Sequence, residues 1–236
     1  ATNNILSPLG EILNEFIHHH DDYGRTALHI SAKRGNLEIV KFLLQKKFNT
    51  LEIDAYGRTA LHLAASNNNV QVVEILLQEN PGLAKIQDKR GRTALHLAAS
   101  NNSLEVMKLL LETKTDLINI SDNYGRTALH LAVINDHLEI VELILDKDPE
   151  VNKKDKHDKT VLHLAAIKNK VEVARKCIEK CEELLDETDS NGNTPLHLAA
   201  KAGSIDILKL LGYEYLDSEQ LNKKNKDDST ALHQAA

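Results

Sequence analysis

The 236-residue chain has no tryptophan, one methionine, four prolines and only two cysteines. Two cysteines allow one bridge at most, so no disulfide framework is possible, and a reducing cytosolic setting is the simpler expectation. No run of about 18 apolar residues occurs and nothing reads as a signal peptide, so no direct membrane insertion by this segment is expected. Positive charge is not in excess: the net charge is −6 and the pI about 6.1. A nucleic-acid footprint wants a basic domain, so no nucleic-acid partner is expected. Also missing are a nucleophile motif, a phosphate-cradling glycine-rich loop and a zinc-hydrolase signature. Carboxylates are plentiful but recur at fixed places, as turn and helix-face residues do. The expectation is a chain that is not an enzyme, with no catalytic residue, no cofactor and no metal.

What is present is repetition. The stretch Asp122-Asn-Tyr-Gly-Arg-Thr-Ala-Leu-His-Leu-Ala has close copies starting at Asp21, Asp54, Asp88 and Asp189, a weaker one at Asp155 and a fragment near Asn225. The copies' threonines are Thr26, Thr59, Thr93, Thr127, Thr160, Thr194 and Thr230, spaced by 33, 34, 34, 33, 34 and 36 residues. A fixed period of this size marks a stacked-repeat solenoid in which each unit touches only its neighbours.

Each repeat carries one local plan. The Asp five before the threonine suits an Asx-turn, and the Gly two before it supplies a left-handed backbone. The threonine caps a short first helix of the type Leu95-His96-Leu97-Ala98-Ala99, with Ala or, at Pro195, Pro in the first helical position. Gly35, Asn68, Asn102, Asp136, Asn169 and Gly203 end that helix, residue types that accept a left-handed conformation. An amphipathic second helix follows, as in Val70–Leu77. Asp158 and Asp228 replace the finger glycine, and a two-residue insertion lies within Gly212–Thr230, so repeats five and six are expected to be the least regular.

Gly-Arg-Thr-Ala-Leu-His followed by Leu-Ala-Ala resembles the ankyrin repeat, whose signature runs Thr-Pro-Leu-His-x-Ala. Thr194-Pro195-Leu196-His197-Leu198-Ala199 carries it letter for letter. The resemblance covers residues 21–236 and implies an all-α ankyrin-repeat solenoid of helix-turn-helix units with β-hairpin finger loops, six full repeats plus a truncated seventh. The expected organisation is an N-terminal capping helix and connector at 1–20, repeats at 21–53, 54–87, 88–121, 122–154, 155–188 and 189–224, and the truncated repeat at 225–236. Ser7 as N-cap, Pro8 and the apolar spacing predict a helix over 5–17. The ends suggest a monomeric fragment of a longer array.

The resemblance implies a structural role for His29, His62, His96, His130, His163, His197 and His233, each bonding its threonine and nearby backbone. The alternative, a metal or proton relay, is the weaker reading, as it is for the run His18-His19-His20 and for the pair Cys177 and Cys181.

The informative surface is the finger row. Tyr23, Tyr56 and Tyr124 stand at tips where turn chemistry does not require an aromatic, with Arg90 in the same position of the third finger. Arg25, Arg58, Arg92 and Arg126 precede the threonines. Tyr and Arg are the types enriched at binding hot spots, so these eight residues are candidate partner contacts. The competing reading is that each Arg pairs with a finger Asp and each Tyr shields its turn. In similar proteins partners lie in the groove between fingers and first helices. By position its floor holds Lys33, Arg34, Ser66, Asn67, Ser100, Asn101, Ile134 and Asn135, continuing through Ile167, Lys168, Lys201 and Ala202. Asn119, Asn152 and Asn222 stand eight before their threonines, where the family can be hydroxylated, although a turn role is the simpler one. The expected function is a non-enzymatic scaffold binding another protein on its concave finger and inner-helix face. The alternative is the cytoplasmic ankyrin array of a membrane protein, such as an ankyrin-type TRP channel, a plant ankyrin membrane protein or a cytoskeletal anchor. Either places the chain in the cytoplasm or on the cytoplasmic side of a membrane.

Overall fold

The computed structural model describes residues 19–113 and 117–235. The helix expected over 5–17 lies outside the described residues. The chain divides into two compact units, Ala1–Leu110 and Leu111–Ala236.

In the first unit, helix pairs follow the threonine period: α1 (Ala27–Arg34) with α2 (Leu37–Gln45), α3 (Ala60–Ser66) with α4 (Val70–Glu79), then α5 (Ala94–Ser100) followed by α6 (Leu104–Thr113), within which the division falls. First helices pack on first helices, α1 on α3 and α3 on α5, while α2 packs on α4. The close approach needs small residues. Ala64, Ala65, Ala98 and Ala99 are wholly buried, with Leu61 and Leu95 filling the layer between them. A 3-10 turn, Pro81–Lys85, begins behind Asn80, whose side chain accepts from the Gly82 N–H.

The second unit repeats the scheme with α7 (Ala128–Ile134) and α8 (Leu138–Leu145), α9 (Val161–Ile167) and α10 (Val171–Lys180), and α11 (Pro195–Ala202) and α12 (Ile205–Leu210). Two short helices, α13 (Ser218–Leu221) and α14 (Ala231–Gln234), close it. The expected irregularity lies at the insertion. Leu211–Tyr215 widens into a π turn with the Leu216 N–H donating to the Leu211 carbonyl at 2.9 Å, and the Arg175 guanidinium fastens Glu214.

The first helices end as the residue types demand. Gly35, Asn68, Asn102, Asp136, Asn169 and Gly203 all have positive φ, between 54° and 71°. Asparagine at this place does more than tolerate the conformation. Asn68 Oδ1 accepts from the Val106 N–H at 3.1 Å and Asn169 Oδ1 from the Ile207 N–H at 3.2 Å, each satisfying a second helix of the following repeat.

The histidine row ties the repeats. In each copy the threonine N–H lies 3.1–3.3 Å from the Nδ1 of the histidine three residues on. Nδ1 therefore accepts, which puts the proton on Nε2. Nε2 then donates into the next repeat: His29 to the Arg58 carbonyl at 2.8 Å, His62 to Arg92 at 3.0 Å, His163 to Asn193 at 3.0 Å and His197 to Ser229 at 3.0 Å. His130 differs, because its buried Nε2 has no hydrogen-bond partner among the described residues. It faces the irregular fifth finger, where Asp158 and Lys159 replace the usual Gly-Arg. Burial pushes His62, His130 and His163 down to about 4, so these three are neutral at physiological pH.

Among the described residues no helix is long and apolar enough to cross a membrane. Cys177 is buried, and burial pushes its thiol up to about 12; Cys181 Sγ lies against the Glu183 carboxylate at 3.2 Å.

Candidate functional site

Each finger is built by its own first and last residues. In the second finger the Asp54 N–H donates to the Arg58 carbonyl at 2.9 Å and the Gly57 N–H to the Asp54 carbonyl at 2.8 Å. Asp54 Oδ1 accepts the Tyr56 and Arg58 N–H groups, both at 2.9 Å, and Oδ2 accepts Arg58 Nε at 2.8 Å and Nη2 at 2.7 Å. Asp88 with Arg92 and Asp122 with Arg126 repeat this, with carboxylates as buried as that of Asp54. Asp21 and Arg25 do the same in a more exposed first finger. Burial alone would raise the carboxyls of Asp54, Asp88 and Asp122. The guanidinium and backbone N–H groups outweigh it and hold all three below the usual carboxylate range.

The expected hairpins are therefore tight turns; no strand forms among the described residues. The two arms are joined only at the Asp–Arg ends, too short for a ladder. Successive fingers are stitched by single backbone bonds. Within the first unit these run from the Ala55 N–H to the Tyr23 carbonyl at 2.8 Å and from the Lys89 N–H to the Tyr56 carbonyl at 3.0 Å. Within the second they run from Lys156 to Tyr124, Ser190 to His157 and Lys226 to Asn191. Glycine is required at the tip for two reasons. Gly57 has φ +76°, and a Cβ there would stand 2.8 Å from the Lys89 backbone nitrogen.

The pairing separates the roles of the finger residues. Arg25, Arg58, Arg92 and Arg126 each spend one edge on an aspartate of their own finger. Arg25, Arg58 and Arg126 also lie over the rings of Tyr23, Tyr56 and Tyr124, at 4.8 Å in all three. The rings themselves stay about half exposed, at 52%, 52% and 53%. Asp, Gly and Arg already close the turn, so nothing in finger geometry requires an exposed aromatic there. The third finger places Arg90 at the tyrosine's position; it is exposed and makes no side-chain bond among the described residues.

The groove positions face outward: Lys33, Arg34, Asn67, Asn101 and Asn135 are exposed, and Ser66, Ser100 and Ile134 partly so. The asparagines also carry a local duty. Asn67, Asn101 and Asn135 Nδ2 each donate at 2.8 Å to the carbonyl four residues earlier, at the helix C-terminus. Ile167 is partly exposed, and Lys168, Lys201 and Ala202 are exposed in the second unit. Of the possible hydroxylation positions, Asn119 Oδ1 accepts from the Glu150 N–H at 2.9 Å and Asn222 Nδ2 donates to the Ser218 carbonyl at 2.7 Å. Asn152 is exposed with no side-chain bond among the described residues.

Lys89 and Lys226 were not singled out by sequence reasoning. Each stands one residue after the finger Asp or Asn and donates its Nζ at 2.7 Å to a carbonyl of the preceding finger, Ala55 and Ser190 respectively. Their shared place in the repeat was the available signal.

Chemically, these surfaces offer amphipathic rings, cationic edges and amide oxygens on a backbone held rigid by buried ion pairs. They are equipped to contact another macromolecule.

Three successive segments, 4–84, 80–155 and 149–219, match the family model described as Ankyrin repeats (3 copies). No curated protein sequence matches the chain. Among solved structures, the ankyrin repeat domain of Bcl-3, described as a unique member of the IkappaB protein family, is similar with a TM-score of 0.78 and 26% identity. The match covers 91% of this chain and 96% of that one.

Proposed function

The chain belongs to the ankyrin repeat family, and on that premise we propose that it is a non-enzymatic scaffold holding a protein partner on its fingers and first helices. Ankyrin repeats generally mediate protein–protein interaction. The observation that carries the reading is the half-exposed tyrosine under an arginine at three finger tips, where the turn is already complete without it. Exposed Tyr held by a cation, on a finger fixed by a buried carboxylate, gives contact area with little ordering cost on association.

The arginines are poor probes of this reading. Replacing Arg58, Arg92 or Arg126 by Ala leaves a buried carboxylate unpaired, at a cost of about 3–5 kcal/mol each. The tyrosines are the cleaner perturbation. A partner captured by the intact chain should bind Tyr23→Ser/Tyr56→Ser/Tyr124→Ser at least about tenfold more weakly, with the circular dichroism unchanged. Glu74→Ala, on the exposed side of α4, should bind as the parent does. Equal affinity for the tyrosine variant would move the interface off the fingers. For hydroxylation, Asn152 is the favoured one of the three asparagines, being exposed and without a side-chain bond among the described residues; a one-oxygen mass gain mapped to another residue would refute that choice.

A further inference from the structure

Between the second and third fingers lies a cleft of about 250 Å³ lined by Tyr56, Arg58, Asp88, Lys89, Arg90 and Arg92. Four of these six side chains are cationic. Its one carboxylate is turned inward: Asp88 is buried and accepts the Arg90 N–H, the Arg92 N–H and Arg92 Nε and Nη2 at 2.7–2.9 Å. Arg58 is matched in the same way by Asp54, outside the cleft. The local charge balance is thus decided by the third finger, the one that carries Arg90 in place of tyrosine. The Arg90 guanidinium is exposed and unmatched among the described residues. The Lys89 ammonium reaches across the cleft and donates to the Ala55 carbonyl at 2.7 Å. The exposed face of Tyr56 forms the apolar wall.

We propose that this cleft is the specificity pocket for an acidic peptide segment: a partner's Asp or Glu carboxylate pairs with Arg90 beside Lys89, while its side-chain methylenes rest on Tyr56. The proposal rests on the scaffold reading above and names the chemistry of the partner. Three features favour it. A guanidinium presents parallel donors that match a carboxylate. The volume corresponds to about eight water molecules, room for one carboxylate side chain with part of its hydration. In the same unit the exposed first-helix residues Lys33 and Arg34 carry charge of the same sign, and helices α1, α3 and α5 contain no acidic residue. The whole chain is nevertheless acidic, at −6, which favours a short anionic segment reaching one local site over an extended polyanion that would meet the rest of the surface.

The test uses the full chain and three labelled probes followed by fluorescence anisotropy: a 12-residue alternating Glu-Ser peptide, its Gln-Ser counterpart and a 12-nucleotide oligothymidylate. The Glu-Ser peptide should saturate below about 1 mM at low salt and weaken several-fold as salt rises, with the Gln-Ser peptide inert. Arg90→Tyr installs the residue that the first, second and fourth fingers already carry, so it keeps the finger fold; it should weaken binding about fivefold, and Arg90→Glu about tenfold or more. Lys209→Glu on the exposed side of α12 in the second unit, the same reversal of sign elsewhere, should change it less than about twofold. Absence of Glu-Ser binding, equal binding by Arg90→Tyr, or oligothymidylate binding as tightly would each overturn the proposal. A natural partner that still needs Tyr23, Tyr56 and Tyr124 would then leave the scaffold reading standing, whereas a partner indifferent to them would sink that reading on its own.

Discussion

His62 offers the sharpest test of how the repeats are held together. Its Nδ1 meets the Thr59 N–H at 3.1 Å and the Thr59 hydroxyl at 2.9 Å, and its Nε2 meets the Arg92 carbonyl at 3.0 Å. His62→Ala removes these bonds and strands buried backbone groups of two repeats, with an expected loss of about 3–5 kcal/mol at neutral pH. The second half of the test is pH. Burial lowers His62 from 6.5 to about 4. The unfolded imidazole therefore takes up its proton from about pH 6.5 downward, and the folded one not until about 4. Across that window the unfolded state binds more protons, so stability falls as pH falls. For one such histidine the loss between about pH 7 and pH 5 is roughly 2 kcal/mol. His130 and His163 behave alike, so the intact chain should lose roughly 5 kcal/mol or more over the same span. Urea unfolding followed by circular dichroism at the two pH values reads both quantities. His62→Ala should be less stable at neutral pH yet lose about 2 kcal/mol less on acidification. His233→Ala, at an exposed copy of the same motif, should cost under about 1 kcal/mol. Stability of the intact chain that is flat from about pH 7 to pH 5 would refute the neutral buried ladder.

Three further outcomes follow from backbone geometry and charge burial. Gly57→Ala should destabilise by about 2–3 kcal/mol in thermal or urea unfolding, because positive φ and the Lys89 backbone both oppose a Cβ; Gly203→Ala, with φ +67° and nothing within 4 Å, should cost only about 1 kcal/mol. Asp158→Gly should stabilise the fifth finger by about 0.5–1 kcal/mol, since Asp158 holds φ +56° where the first four fingers and the sixth place glycine; an unchanged or lower midpoint would argue that Asp158 makes a compensating contact. Asp54→Ala should destabilise by about 3–5 kcal/mol, as it leaves Arg58 and two finger N–H groups without their acceptor, and a loss under about 1 kcal/mol would show that the ion pair does not hold the finger.

Much of this protein is written within short distances along the chain. The threonine period, the histidine three residues on, the Asp-to-Arg span of four residues and the left-handed helix ends all involve groups that meet whatever the rest of the molecule does. Asn68, Asn102, Asn169 and Asp136 share their conformation with Gly35 and Gly203 because only a few residue types accept it, so composition alone marked them. Tertiary structure decided where the remaining valences go. Arg58, Arg92 and Arg126 looked equally suited to a partner and to their own fingers; burial of the aspartates committed one edge of each to the fold, because a desolvated carboxylate needs its cation. Asn67, Asn101 and Asn135 turned an amide back onto a helix end that the pattern left open. The reach of Lys89 to Ala55, the bonds of the histidine Nε2 atoms to the next finger and the cationic cleft beside Arg90 depend on residues some thirty positions apart. Such pairs are brought together by the stacking of one repeat on the next, which the period announces but whose side-chain partners only the packed backbone selects.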